Sequence, residues 1–177
     1  VLHSRCVEIA KKYGVELLVC SSLNRNSGTM VREKTKMEKM LISGVAADKN
    51  VAKIRVAGLG NDPESTFRLL NLLDRNNLNI DVMIQSLGKD GTKSVSFTVA
   101  KPDMLRTIDV LNDNKDLLGI KKLDYDENVA KVSVIGAGVR SHSGVAAKMF
   151  GALANAGINT EMVTTSEIRI TALIDEA

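Results

Sequence analysis

The chain has 177 residues, 44% of them apolar and 25% charged, with 24 Lys and Arg against 21 Asp and Glu for a formal net charge of +3. That is enough chain and enough apolar material for one sizeable domain or two small ones. Only 3% of residues are aromatic and no basic block occurs, which argues against a nucleic-acid partner, and no apolar run approaches the roughly 20 residues that cross a bilayer, which argues against a membrane one. Cys6 and Cys20 are the only cysteines. They are too few for a disulfide framework and have no metal-ligand company, so reduced thiols in a cytoplasmic protein are expected. The chain begins Val1-Leu2-His3 without an initiator Met and stops at "ITALIDEA", and it reads as a piece of something longer.

In chain order, "MLISGVAAD" at 40–48 is a strand-like run with no partner of its own. Next, "VAKIRVAGLG" at 51–60 alternates Ala52, Ile54 and Val56 with Val51, Lys53 and Arg55, the period of a strand with one wet face, which Gly58 and Gly60 are expected to end. Asp62-Pro63 offers an N-cap followed by proline at the first helical position. Phe67, Leu70 and Leu73, with Leu69 and Leu72, give the apolar stripe of a helix, and Asn77 stands where it should stop. A second strand is expected in "LNIDVMIQS", a third after the Asp90-Gly91 turn in "KSVSFTVA", then a helix around "KPDMLRTIDVLNDN" and a strand in "GIKKLDYD".

The pattern then starts again. "VAKVSVIGAG" at 129–138 repeats 51–60 at an offset of 78 residues, and "GINTEMVTTS" at 157–166 repeats "NLNIDVMIQS" at 77–86 at an offset of 80, the extra two residues falling in the glycine turn. Ser141 or Ser143 would cap the second helix, Val145, Met149 and Leu153 give its stripe, and Gly157 its end. A third strand, "IRITALI", follows a short Ser-Glu break. The unit is β-α-β-β-α-β, the ferredoxin-like arrangement of an antiparallel sheet carrying helices on one face. The second copy lacks its last helix and strand, and an uncovered sheet edge is a liability, so 40–50 is expected to fill the gap. The fold class is therefore α+β with two such units in tandem, the first inserted within the elements of the second. The expected domains are 1–39, 51–128, and 40–50 with 129–177.

Two other readings compete. Gly136-Ala137-Gly138 after a strand begins a dinucleotide fingerprint, but Ser141 stands where the third glycine belongs, and the twin strand leads into Gly58-Leu59-Gly60-Asn61 with no such motif. Glu161 lies at a tolerable distance for a ribose contact. The other reading is a purely structural dimerisation module with vestigial sites. His142 has no acid, Ser or Cys constellation that would make it a catalyst.

The paired copies resemble ACT domains. The run from "GAG" through "SHSGVA" to "TSEI" is similar to the last part of the aspartokinases, "VLHSRCVEIAKKYGVELLVCSS" to the end of their kinase domain, and the likeness covers essentially the whole chain. The residues depart from the family pattern at Ser4 and Cys6, at Glu64 where the family commonly has Gly, and at Ser143 where it has Pro. The last two alter the loops that bear on effector selectivity and affinity. The resemblance implies an enzyme that transfers the ATP γ-phosphate to the side-chain carboxylate of aspartate, the first step toward lysine, threonine and methionine, with ATP and Mg held in the kinase domain. No glycine-rich phosphate cradle with its lysine occurs in this chain, so it is expected to be inactive alone and to hold no cofactor. The implied partners are L-lysine and/or L-threonine as feedback inhibitors, a catalytic kinase domain or subunit, and a second copy in a homodimer through ACT domains.

A free amino acid presents a carboxylate and an ammonium, so its site needs converging donors and acceptors. Backbone N–H groups at a helix start suit the carboxylate, which points to Asn61, Asp62 and Thr66 and, in the second copy, to Ser143, Gly144, Val145 and Ala146. Acceptors on the second strand suit the ammonium: Asn79, Asp81 and Gln85 are expected to share one face, and Asn159, Glu161 and Thr165 are their counterparts. By resemblance, the family's contacts fall on Asn61, Thr66, Asn79, Ile80, Asp81 and Gln85 in the first copy and on Val145, Ala146, Asn159, Thr160, Ser166 and Glu167 in the second. Glu167 or Asp81 would accept a lysine side chain, and Gln85 or Ser96 a threonine hydroxyl.

Overall fold

A computed structural model describes residues 3–23, 27–32, 42–136, 139 and 144–176. The chain divides into two compact units, Val1–Lys39 and Met40–Ala177. In the first, helix α1 (Ser4–Tyr13) begins where His3 Nδ1 accepts the Arg5 N–H at 3.2 Å and ends at the left-handed Gly14. Strands β1 (Leu17–Val19) and β2 (Thr29–Val31) form an antiparallel pair.

The second unit runs β3 (Gly44–Asp48), β4 (Val51–Leu59), α2 (Pro63–Arg75), β5 (Met83–Leu87), β6 (Lys93–Ala100), α3 (Met104–Asp113), α4 (Lys115–Leu118), β7 (Lys122–Asp126), β8 (Val129–Ile135), α5 (Gly144–Asn155), β9 (Thr160–Thr165) and β10 (Arg169–Asp175). Two four-stranded antiparallel sheets result, ordered β5-β6-β4-β7 and β3-β8-β10-β9. The orders are equivalent: β4 corresponds to β8, β6 to β10 and β5 to β9. In the place that β7 takes beside β4, β3 lies antiparallel to β8, pairing Gly44 with Ile135 through Asp48 with Lys131. A strand from ahead of the first ferredoxin-like unit thus completes the second, which is what inserting one unit within the other means in chain terms.

Each sheet buries one face under its helices. Ala52, Ile54 and Val56 of β4 pack with Val95, Phe97 and Val99 of β6 against Leu69 and Leu73 of α2 and Leu111 of α3. In the other sheet Ala130 and Val134 of β8 and Ile170, Ala172 and Ile174 of β10 pack against Val145 and Met149 of α5. Because side chains alternate along a strand, Val51, Val129 and Leu173 fall on the opposite, helix-free faces. There they meet Val82 and Met162 in a third buried cluster. The two sheets are joined by this seam, and its members match across the repeat: Val51 with Val129, Val82 with Met162.

Within α2 and β4, local structure departs from the sequence reading at Phe67 and at Gly58. Phe67 was expected in the apolar stripe of α2, yet it is 65% exposed, because the buried face runs through Ser65, Leu69 and Leu73. Gly58 does not end β4. It lies inside the strand at a register shift with φ 88°, a bulge where any Cβ would strike the Lys121 side chain. The helix ends are as expected: Asn77 and Gly157 both take left-handed backbones, φ 54° and 70°, just past α2 and α5.

Asp62 caps α2. Its Oδ1 accepts the Glu64 and Ser65 N–H groups at 3.0 and 2.9 Å, and its Oδ2 accepts the Ser65 hydroxyl. Pro63 follows, with no N–H to leave orphaned. The Ser65 hydroxyl, ahead of the backbone donors and the Arg68 cation, holds the Asp62 carboxyl below its ordinary value of 3.8, while desolvation opposes the shift.

Four substitutions test this architecture. Ile54→Ala, which opens a cavity at a fully buried position, should lower stability in urea denaturation by about 2–5 kcal/mol. Leu173→Ala in the seam should cost a similar amount, whereas Lys53→Ala, which removes only a partly exposed ion pair to Glu161, should cost about 1 kcal/mol or less. A depressed carboxyl stabilises the fold above its unfolded value and loses that contribution as pH falls through the folded one. Asp62→Ala should therefore destabilise the chain at about pH 7 and make progressively less difference as the pH is taken below 3.8.

Candidate functional site

The residues singled out in the first copy separate into two groups. One is built at the start of α2. Thr66, one turn into the helix, donates its hydroxyl to Gln85 Oε1 on β5 at 2.7 Å, tying helix to strand. Asn61 is exposed just before the cap. The two backbone donors that a ligand carboxylate would seek are already satisfied by Asp62, so the bare helix-start cradle expected from the sequence is filled by the chain's own carboxylate. Cations stand beside it instead: Lys93 of β6 donates to the Asp62 carbonyl at 2.8 Å, and Arg68 pairs with Asp62 at 3.2 Å and with Glu64 at 3.8 Å.

The second group is Asn79, Ile80 and Asp81, which precede β5. They line a cleft of about 310 Å³ with Asp48, Asn50, Thr98, Asp103 and Lys131. Thr98 explains why Asp81 and Gln85 do not share a face as expected. Its hydroxyl takes the Val82 N–H at 3.1 Å while its carbonyl takes the Asp81 N–H at 3.1 Å, so the ladder is irregular and strict alternation does not carry through. Asp81 turns to the seam and ion-pairs with Lys131 of β8, whereas Gln85 turns to α2. Four residues of extended chain, roughly 13 Å, separate the two. Ser96 is likewise removed from Gln85. It alternates with Val95 and Phe97, which face the helices, and so falls on the helix-free side.

In the second copy Gly144 begins α5, Val145 is buried in the core and Ala146 packs against it, so Val145 offers a ligand its backbone only. Ser141 and Ser143, the expected caps, lie outside the described residues, as does Gly138. Asn159 and Thr160 are exposed at the start of β9. Glu161 falls at a register shift between β9 and β10 and accepts the Lys53 ammonium at 2.6 Å. Ser166 closes the turn to β10 through its N–H to the Arg169 carbonyl at 2.7 Å, with Glu167 exposed beside it. Glu161 lies at the start of β9 and Glu167 in the bend beyond its far end, with four residues of strand, roughly 13 Å, between Glu161 and Thr165, so these two carboxylates do not meet.

Lys53, Lys131 and Lys93 are the residues that reading the sequence passed over. A signal for the first two was present: both are the lysine of the repeated "VAK". Among the described residues, no group of three or more His, Cys, Asp or Glu side chains comes together to hold a metal ion. No helix there is long and apolar enough to cross a membrane.

Comparison with known proteins joins these observations. The ACT domain pattern matches residues 132–177. The aspartokinase of Bacillus sp. (strain MGA3) is 40% identical over 178 residues, which take in 100% of this chain and 43% of that protein. Among solved structures, one of aspartokinase alpha and beta subunits matches with a TM-score of 0.71 at 42% identity, over 76% of this chain and 88% of that one. The regulatory subunit of aspartate kinase from Thermus thermophilus, in its ligand-free form, matches with a TM-score of 0.72 at 31% identity, over 77% and 90%. The chain spans less than half the length of the Bacillus enzyme and nearly all of the solved regulatory subunit, with the same tandem of ferredoxin-like sheets. It belongs to the aspartokinase family and corresponds to that family's regulatory region.

Proposed function

We propose that this chain senses L-lysine, L-threonine or both and relays their binding as feedback inhibition to a kinase domain that phosphorylates aspartate, in the same chain or in a partner subunit. The observation that carries the reading is the Thr66–Gln85 bond. It places polar groups of a helix start and of an exposed sheet edge within hydrogen-bond distance of each other, with the Lys93 ammonium at the same helix start to meet a ligand carboxylate. An α-amino acid needs that combination of cation, hydroxyl and amide.

Asp81, ahead of β5, and Gln85 within it are roughly 13 Å apart along the extended chain and turn to opposite sides, too far for a single free amino acid to bridge. A complete site is therefore assembled with a second copy of the chain, whose equivalent edge supplies the missing contacts, and the working form is a homodimer. Transmission requires a coupling free energy of only about 1–3 kcal/mol, equivalent to about 5- to 150-fold inhibition. The alternative of a structural dimerisation module is favoured by one observation, that Asp81 and Glu161 are already neutralised by lysines.

Titration calorimetry of the chain with L-lysine, L-threonine and L-aspartate separates the two. The sensor reading expects saturable binding of lysine or threonine, weakened about tenfold or more in Gln85→Ala through loss of a hydrogen bond at the site. Silence toward all three amino acids would leave only the structural module. Sedimentation over a range of concentrations should show a dimer that ligand strengthens, and a monomer at every concentration with ligand present contradicts the shared site.

A further inference from the structure

The lysines that cross the seam occupy the same position of the repeat, and so do the acids they reach. Lys53 and Lys131 are 78 residues apart, Asp81 and Glu161 are 80 apart, and these are the two spacings that align the copies. The contacts are reciprocal: Lys53 of the first sheet holds Glu161 of the second, and Lys131 of the second holds Asp81 of the first. Both acids sit where the second strand of their unit departs from regular pairing. Each lysine also faces a second carboxylate, in the fourth strand of its own sheet. Lys131 is paired in register with Asp48 of β3, and their charged atoms are 3.4 Å apart. Lys53 is paired in register with Asp126 of β7, and the two line one small cleft together with Asp124.

Each lysine thus has two carboxylates within its compass, one that closes the seam and one that does not. Asp81 and Glu161 are also the acceptors to which the ammonium of an amino acid is assigned above. An amino acid's ammonium arriving at either acid meets a lysine ammonium already at contact distance, and the two cations repel. We propose that Lys53 and Lys131 are internal competitors of the effector: a bound ammonium displaces each lysine from Glu161 or Asp81 onto Asp126 or Asp48. Occupancy of the site then excludes closure of the seam at that pair. This rests on the reading of the chain as an amino-acid sensor. It makes the lysines determinants of affinity and the seam the element that registers binding. A ligand shifts such an equilibrium only through its different affinity for the two states, and competition for one carboxylate supplies that difference.

The test is titration calorimetry of the full chain with L-lysine and with L-threonine, in the unmodified protein and in Lys53→Met, Lys131→Met, Asp48→Asn and Asp126→Asn, each checked for its folded circular-dichroism spectrum. Removing a competitor should tighten binding about tenfold at the corresponding site, and removing the lysine's refuge should weaken it several-fold, although neither Asp48 nor Asp126 is assigned to the ligand. A lysine that serves only to hold the seam predicts no such opposition of sign. Unchanged or weaker binding in both Lys→Met variants overturns the proposal. Should a variant fail to fold, acylation of amines in the unmodified chain decides. Saturating ligand should raise the labelling rate of Lys53 or Lys131 several-fold relative to Lys115, and an unchanged ratio overturns the competition. Absence of binding in the unmodified chain and in every variant would instead bring down the sensor reading itself.

Discussion

The arrangement depends on one constraint: two sheets, each with helices on one face only, have a second face that must be covered. Val51, Val82, Val129, Met162 and Leu173 cover it by turning the helix-free faces toward each other. Full burial of side chains of this size is worth about 1.5–3 kcal/mol each. The ion pairs that flank the cluster are partly exposed, Asp81 by 45% and Glu161 by 24%, and pairs of that kind contribute about 1 kcal/mol or less. Apolar contact therefore holds the sheets together, and charge decides how they are matched. A weak, reversible pair laid over a strong apolar contact is suited to signalling, since it can be exchanged without unfolding either half.

The repeat makes the seam nearly self-complementary. Each half offers a lysine from its first strand and an acid from the start of its second, so one half meets the other as the subunits of a symmetric dimer meet, residue i against j and j against i. The insertion of β3 belongs to the same logic. Without it β8 would present an open edge, whereas β7 covers the equivalent edge of β4, and the strand that closes the gap also carries Asp48 to Lys131.

Much of this was legible in the residues. The offsets of 78 and 80, the Asp62-Pro63 start of α2, the ends at Asn77 and Gly157, and the strand at 40–48 with no partner all follow from local pattern, and the ferredoxin-like unit follows from their order. What local pattern misses is decided by groups distant in sequence. Phe67 faces outward because the packing of α2 on the sheet selects Leu69 and Leu73. Asp81 leaves the face of Gln85 because Thr98, on a neighbouring strand, takes over a ladder bond with its side chain. The lysine partners of Asp81 and Glu161 lie 50 and 108 residues away, beyond any periodicity. The filled cradle at α2 was half visible, since the aspartate that caps a helix also occupies the donors a ligand would use.

The proposed sensing requires that an amino acid be registered at the edges of the second strands and felt at the seam between the two sheets. Hydrogen exchange of the chain, followed peptide by peptide with and without saturating L-lysine or L-threonine, addresses it directly. Sensing of this kind predicts slowed exchange around 61–66, 79–85 or 159–167, accompanied by altered exchange in the strands that carry Lys53 and Lys131. Protection at a binding segment with no response in either of those strands, or no response anywhere in 42–176, would contradict it.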